Sequence, residues 1–107
     1  MVDAGGNPIY VFVPDGVRNG TGDVAIRKGV TMSITGKAAS ETQALAAADP
    51  ALEAKLAGNP RTVRFPGGVP MKAGDTIVGF IAASGATGAQ DEVCAKAGAD
   101  KIAARIK

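Results

Sequence analysis

The sequence predicts an α+β fold, a mostly antiparallel sheet with helices packed on it. Three observations predict it. Short apolar runs separated by glycine turns open the chain, alanine-rich helix formers fill its middle, and a strongly apolar run near residue 80 precedes a long amphipathic segment.

Met1-Val2 reads as a strand end entering a turn at Asp3-Ala4-Gly5-Gly6-Asn7, and Ile9-Tyr10-Val11-Phe12-Val13 reads as the returning strand. Pro14-Asp15-Gly16 ends that strand, and Asn19-Gly20-Thr21-Gly22 extends the loop. Residues 23–35 carry two patterns at once. Val24, Ile26, Val30, Met32 and Ile34 fall near a period of two, as in a strand. Ile26, Val30 and Ile34 also fall four apart behind Asp23, a suitable N-cap, as in a helix. The pattern alone leaves both open.

Residues 40–56 read as helical, with Ser40 and Gln43 placed as a capping box, and Asp49-Pro50 restarting a second short helix that stops at Gly58. Thr62-Val63-Arg64-Phe65 has strand composition and is broken by Pro66-Gly67-Gly68. Val69-Pro70-Met71-Lys72 reads as an edge strand because proline cannot donate to a ladder. Thr76 to Ala83 is apolar nearly throughout, the mark of a central strand. Gln90 to Lys107 reads as a closing helix, with Cys94, Ile102 and Ile106 on one stripe and Asp91-Glu92 in the first turn.

The 107 residues suit one domain, 1–107, with 46% hydrophobic and 21% charged residues. Its apolar residues are mainly small, which favours assembly into a homo-oligomer to bury enough area. The net charge of +2 is mild. Arg61, Arg64, Lys101, Arg105 and Lys107 form only loose clusters without interleaved aromatics, so the pattern argues against nucleic-acid binding. No apolar run approaches the roughly 18 residues that cross a membrane, and Met1 leads into Val2-Asp3 without a signal peptide. A cytoplasmic location is therefore expected, and one cysteine cannot form an internal disulfide. Histidine is absent. That removes the commonest metal ligand, the Ser-His-Asp arrangement and the usual general base near neutral pH, and no metal site is expected.

Three segments together resemble the GlcG/HbpS-like family, also called the haem-degrading domain family. They are Val2-Asp3-Ala4-Gly5-Gly6 with the strand after it, Gly67-Gly68-Val69-Pro70 with a turn at Gly74, and Val78-Gly79-Phe80-Ile81-Ala82-Ala83-Ser84-Gly85-Ala86 with Asp91, Ala95 and Gly98 behind it. The resemblance implies a profilin-like antiparallel sheet of about five strands flanked by helices, and a helix over residues 23–35. It also implies a homo-oligomer that binds a small-molecule ligand, with haem or another tetrapyrrole as one class. Family members usually carry a helix and most of a strand before the Val-Asp-Ala-Gly-Gly segment, and this chain is short at that end. Haem-binding members often use a histidine as axial ligand. Here Tyr10, Met32, Met71 and Cys94 are the residues able to ligate iron, and core packing is the ordinary role of each.

Candidate site residues follow from the same segments. Gly5, Gly6, Gly67, Gly68, Ser84 and Gly85 end strands, where backbone N–H groups and a hydroxyl converge on a carboxylate or propionate. Arg27 and Lys28 lie where the family helix faces its cleft, placed to pair with an acidic ligand. Asp3 and Asp91 are the candidate acid–base groups of an alternative reading, an enzyme acting on a small hydroxy acid, diol or aromatic catabolite. Each also has a plain structural role, an Asx bond in the turn for Asp3 and the helix dipole for Asp91. Cys94 reads as a small buried apolar residue. A third reading is a structural subunit of a larger assembly.

Overall fold

A computed structural model describes residues 1–13, 15–17 and 20–103. The elements are β1 (Val2–Asp3), α1 (Thr21–Thr35), α2 (Ala39–Ala48), α3 (Pro50–Ala57), β2 (Gly68–Ala73), β3 (Thr76–Ala82) and α4 (Gly88–Ala103). Pro14, Asn19, Arg105, Ile106 and Lys107 lie outside the described residues.

The sheet runs β1-β3-β2 and both pairings are antiparallel. The most apolar strand is central and the proline-bearing strand is at the edge, as the composition requires. The α+β class holds, with three strands among the described residues. Ile9–Val13 stays outside the ladder because only Val2 and Pro8 bridge, with Ile9 and Tyr10 N–H donating to Met1 O. Thr62–Phe65 is likewise irregular. The Val63 N–H donates to Thr31 Oγ1 on α1 rather than to a strand, and prolines 60 and 66 flank the segment.

Residues 23–35 are helix. Gly20 is the N-cap, so Asp23 falls in the first turn, where it pairs with Arg27 at 2.8 Å. Burial decides against the period-two pattern, because the five consecutive residues Lys28–Met32 are all buried. A half-exposed strand would alternate; a helix wedged between sheet and α2 does not. Gly36 ends α1 in the left-handed region, its N–H bonded to Met32 O at 2.7 Å.

Ala38, not Ser40, is the N-cap of α2 and has no side-chain cap. Ser40 is the second residue of the helix and bonds Glu92 of α4 twice, N–H to Oε1 at 3.0 Å and Oγ to Oε2 at 2.6 Å. A tertiary carboxylate thus replaces the expected local cap. The α3 start follows the sequence: Asp49 Oδ1 accepts from Ala51 and Leu52 N–H, with Pro50 in the first turn. Val2, Met32, Ala39 and Phe80 form the core cluster where α1, α2 and the sheet meet, with Ile77 and Ala82 packed against it.

Cys94 is exposed. The buried stripe of α4 runs through Asp91, Ala95 and Ala99, and Cys94 lies about 100° around the helix from Ala95. Of the expected stripe Cys94 therefore faces outward, whereas Ile102, seven residues after Ala95, falls on the buried line. Among the described residues no helix is long and apolar enough to cross a membrane.

Candidate functional site

The centre of the structure on the Ser84 side is a buried ion pair. Lys28, on α1, and Asp91, in the first turn of α4, are 3% and 5% exposed. The Lys28 ammonium donates to Asp91 Oδ2 at 3.2 Å and to Ala83 O at 2.8 Å. The other carboxylate oxygen, Asp91 Oδ1, accepts from Ala86 N–H at 3.0 Å. One pair of side chains therefore ties α1, α4 and the 83–86 loop together where β3 ends. A buried charge is tolerable here because each ion has a counter-ion and further hydrogen bonds.

Gly67 explains why this pair fits. Its φ is 129°, and a Cβ on it would stand 2.6 Å from Lys28 Nζ and 2.9 Å from Asp91 Cβ. Only glycine combines that backbone with that approach. Glu92, next on α4, accepts from Gly67 N–H at 3.4 Å while holding Ser40. The Gly67–Gly68 segment is thus packed between helix side chains and is not open to a ligand.

An apolar trough opens beside this pinned loop. One cavity of about 210 Å³ is lined by Phe12, Val13, Val17, Thr21, Gly22, Ala25 and Ala82–Ser84. A second, of about 230 Å³, lies between Met1–Val2, Tyr10–Phe12, one face of α1 and Phe80–Ala82. They share Phe12, Gly22, Ala25 and Ala82. Phe12 is 72% exposed and Val13 53%, so the outer wall is an uncovered apolar surface.

The structure brings Lys28, Gly67, Gly68, Ser84 and Asp91 to one end of the fold and leaves Asp3, Gly5, Gly6 and Arg27 elsewhere. Of the first group Ser84 alone lines the trough. Arg27 is bound to Asp23 and to Pro60 O. Gly5 and Gly6 form the turn after β1, where Gly6 lies against Ser33 near the other end of α1. Asp3 accepts from the N–H groups of Gly5 and Asn7, both at 2.9 Å, and from the Asn7 amide. The Asn7 backbone N–H, followed by its side chain and then the Gly5 N–H, lowers the Asp3 pKa from its ordinary value. A base at neutral pH needs the opposite shift. Asp91 is fully engaged by Lys28 and Ala86.

The trough walls were not evident in the sequence. The available signal was the set of small residues Gly22, Ala25 and Gly29, three and four apart on α1, which leave room over one helix face. Glu92, read as a dipole partner, is in fact the link between α4, α2 and Gly67.

Iron ligation finds little in these surroundings. Met32 and Met71 are 0% and 4% exposed within the fold. Cys94 stands on the outer side of α4. Tyr10 lines the second cavity and not the one closed by Ser84. The donor set does not fit an iron ligand at the Ser84 cavity, and among the described residues no three acidic or Cys side chains cluster to hold a metal.

Comparison with known proteins agrees with this architecture. No curated protein matches the sequence. Among solved structures, a double mutant of Streptomyces reticuli HbpS superposes with a TM-score of 0.82 at 32% identity, covering 94% of this chain and 67% of that one. Klebsiella pneumoniae protein ORFY gives 0.81 at 24% identity, with 92% and 69% covered. A PduOC:heme complex gives 0.73 at 24% identity, with 89% and 70% covered. A family model described as haem degrading protein HbpS-like matches residues 1–100. With nearly the whole chain matched, and its sheet and helices superposing on HbpS itself, the chain belongs to the HbpS-like family.

Proposed function

We propose that this protein binds a small, flat, apolar ligand in the trough closed by Ser84, with a tetrapyrrole as the class to test first. The observation that carries this reading is the trough itself. Apolar walls and the exposed Phe12 ring stand over a loop fixed by the Lys28–Asp91 pair, so a rigid floor faces an uncovered apolar wall. The family name and the heme complex of the related PduOC structure support the ligand class.

The cavity volume of about 210 Å³ is below the roughly 300–1,000 Å³ of pockets that enclose a drug-sized ligand. It suits one edge of a ring, with the remainder lying over Phe12 and Val17. Ser84 supplies a hydroxyl at the cavity lining, where a carboxylate-bearing edge finds a hydrogen-bond partner. The ring is held by stacking and apolar contact, not by the iron.

A paired titration tests this. Haemin and iron-free protoporphyrin are added separately and followed by Soret absorption and by quenching of porphyrin emission. Saturable binding of both, with affinities within about tenfold of each other, is expected, and Phe12→Ala weakens both. Binding of haemin alone, abolished by Tyr10→Phe, would show iron ligation and contradict the reading. Failure of both to saturate would remove tetrapyrroles as the ligand class.

A further inference from the structure

Three lysines from three different elements line one groove at the sheet edge opposite β1. β2 is that edge. Together with the link between α1 and α2 and the second half of α4, it encloses a cavity of about 360 Å³. That volume falls within the roughly 300–1,000 Å³ of pockets that hold small molecules. Lys37 comes from the helix link, Lys72 from β2 and Lys96 from α4. Val69, Pro70 and Ala99 add apolar surface to the same lining.

The charges of this groove are unevenly matched. Lys96 is held by Asp100 one turn on, at 3.0 and 3.3 Å. Glu41 stands at the same four-residue spacing from Lys37, yet the two do not pair. Gly36 ends α1 and Ala38 is the N-cap of α2, so Lys37 lies outside both helices and the spacing no longer brings the side chains together. Among the described residues neither Lys37 nor Lys72 has a carboxylate within ion-pair distance. Two ammoniums without counter-ions therefore share one concavity, and α2 begins beside them with its positive end.

The same surface argues against two other occupants. An added strand is disfavoured, because Pro70 offers no donor and the register breaks between Met71 and Lys72. A planar carboxylate is best met by the fork of an arginine, and no arginine lines the groove. Lysine acts as a point charge and suits the equivalent oxygens of a phosphate. We infer that this groove binds a small organic phosphate monoester. The dianionic head is held by the Lys37 and Lys72 ammoniums, and the carbon body rests on Val69, Pro70 and Ala99. Glu41 repels the head and limits the affinity. The groove shares no lining residue with the two apolar cavities and stands independently of the ligand they take.

The test is ¹⁵N NMR titration of the full chain with phenyl phosphate at about pH 7.5, where the ester is a dianion. Saturable shifts at Lys37, Ala38, Lys72 and Lys96 are expected, with affinity falling as salt is raised. The double variant Lys37→Gln/Lys72→Gln binds about fivefold or more weakly, whereas Glu41→Gln binds about twofold more tightly. All three of these side chains are exposed, so the substitutions leave the core untouched. Benzoate, with a similar body and a single charge, binds at least about threefold more weakly than phenyl phosphate. Absence of saturation, undiminished binding by the double variant, or benzoate binding as tightly as the phosphate would overturn the proposal. Iron-free protoporphyrin titrated into the same samples separates failure here from failure of the ligand reading.

Discussion

Replacing Asp91 by alanine removes the one counter-ion of a lysine that is 3% exposed. Two losses follow from the geometry. The Lys28 ammonium keeps Ala83 O at 2.8 Å as its remaining partner, and Ala86 N–H loses the carboxylate oxygen it meets at 3.0 Å. Removing one partner of a buried pair costs about 3–5 kcal/mol, because the stranded charge stays desolvated. With total stability on the order of 5–15 kcal/mol, that is a large share. In urea, where the slope is about 1–3 kcal/mol per molar, the midpoint should fall by roughly 2 M. The double variant Lys28→Met/Asp91→Ala removes both charges and should recover more than half of the loss, giving, with the single variant Lys28→Met, a coupling of about 2 kcal/mol. Equilibrium unfolding of the four species in urea measures this directly. A cost below about 1 kcal/mol for Asp91→Ala, or single costs that simply add in the double variant, would refute the pair as the pin of the loop.

Three further outcomes are expected. Gly67→Ala should destabilise by about 2–4 kcal/mol, the left-handed backbone and the overpacking against Lys28 and Asp91 acting together, as read by thermal unfolding; a neutral change would mean the approach is not tight. Asp49→Ala should cost about 1 kcal/mol through loss of the α3 cap, visible as faster exchange of the Ala51 and Leu52 amides. Asp3 has a folded pKa lowered chiefly by the Asn7 N–H. Its contribution is thus present above the unfolded value of about 3.9 and is lost as pH falls through the lower folded value. A carboxyl NMR titration should place its midpoint below the ordinary range, with Asn7→Ala raising it, and a midpoint at or above that range would contradict the Asx arrangement.

Local chemistry made much of the fold legible. Pro70 marked an edge strand, the apolar run at 76–83 a central one, and Asp49-Pro50 a helix start, because each depends on backbone rules that act within a few residues. The misreadings have a common cause in tertiary partners. Ser40 has the composition of a cap, yet Glu92, distant in sequence, takes its N–H and hydroxyl. Ile9–Val13 has the composition of a strand, yet β1 reaches only Val2–Asp3 beside it. The candidate site shows the same division. Lys28, Gly67, Gly68, Ser84 and Asp91 were each singled out by segment, and they do converge. What the segments could not show is that Lys28, read as a ligand contact, and Asp91, read as an acid–base candidate, satisfy one another.

The most direct test of the ligand site is ¹⁵N NMR mapping with iron-free protoporphyrin. Shifts confined to Phe12, Val13, Thr21, Gly22 and Ala82–Gly85 are the predicted result. Shifts centred instead on the groove between Lys37, Lys72 and Lys96, or none at saturating porphyrin, would contradict it.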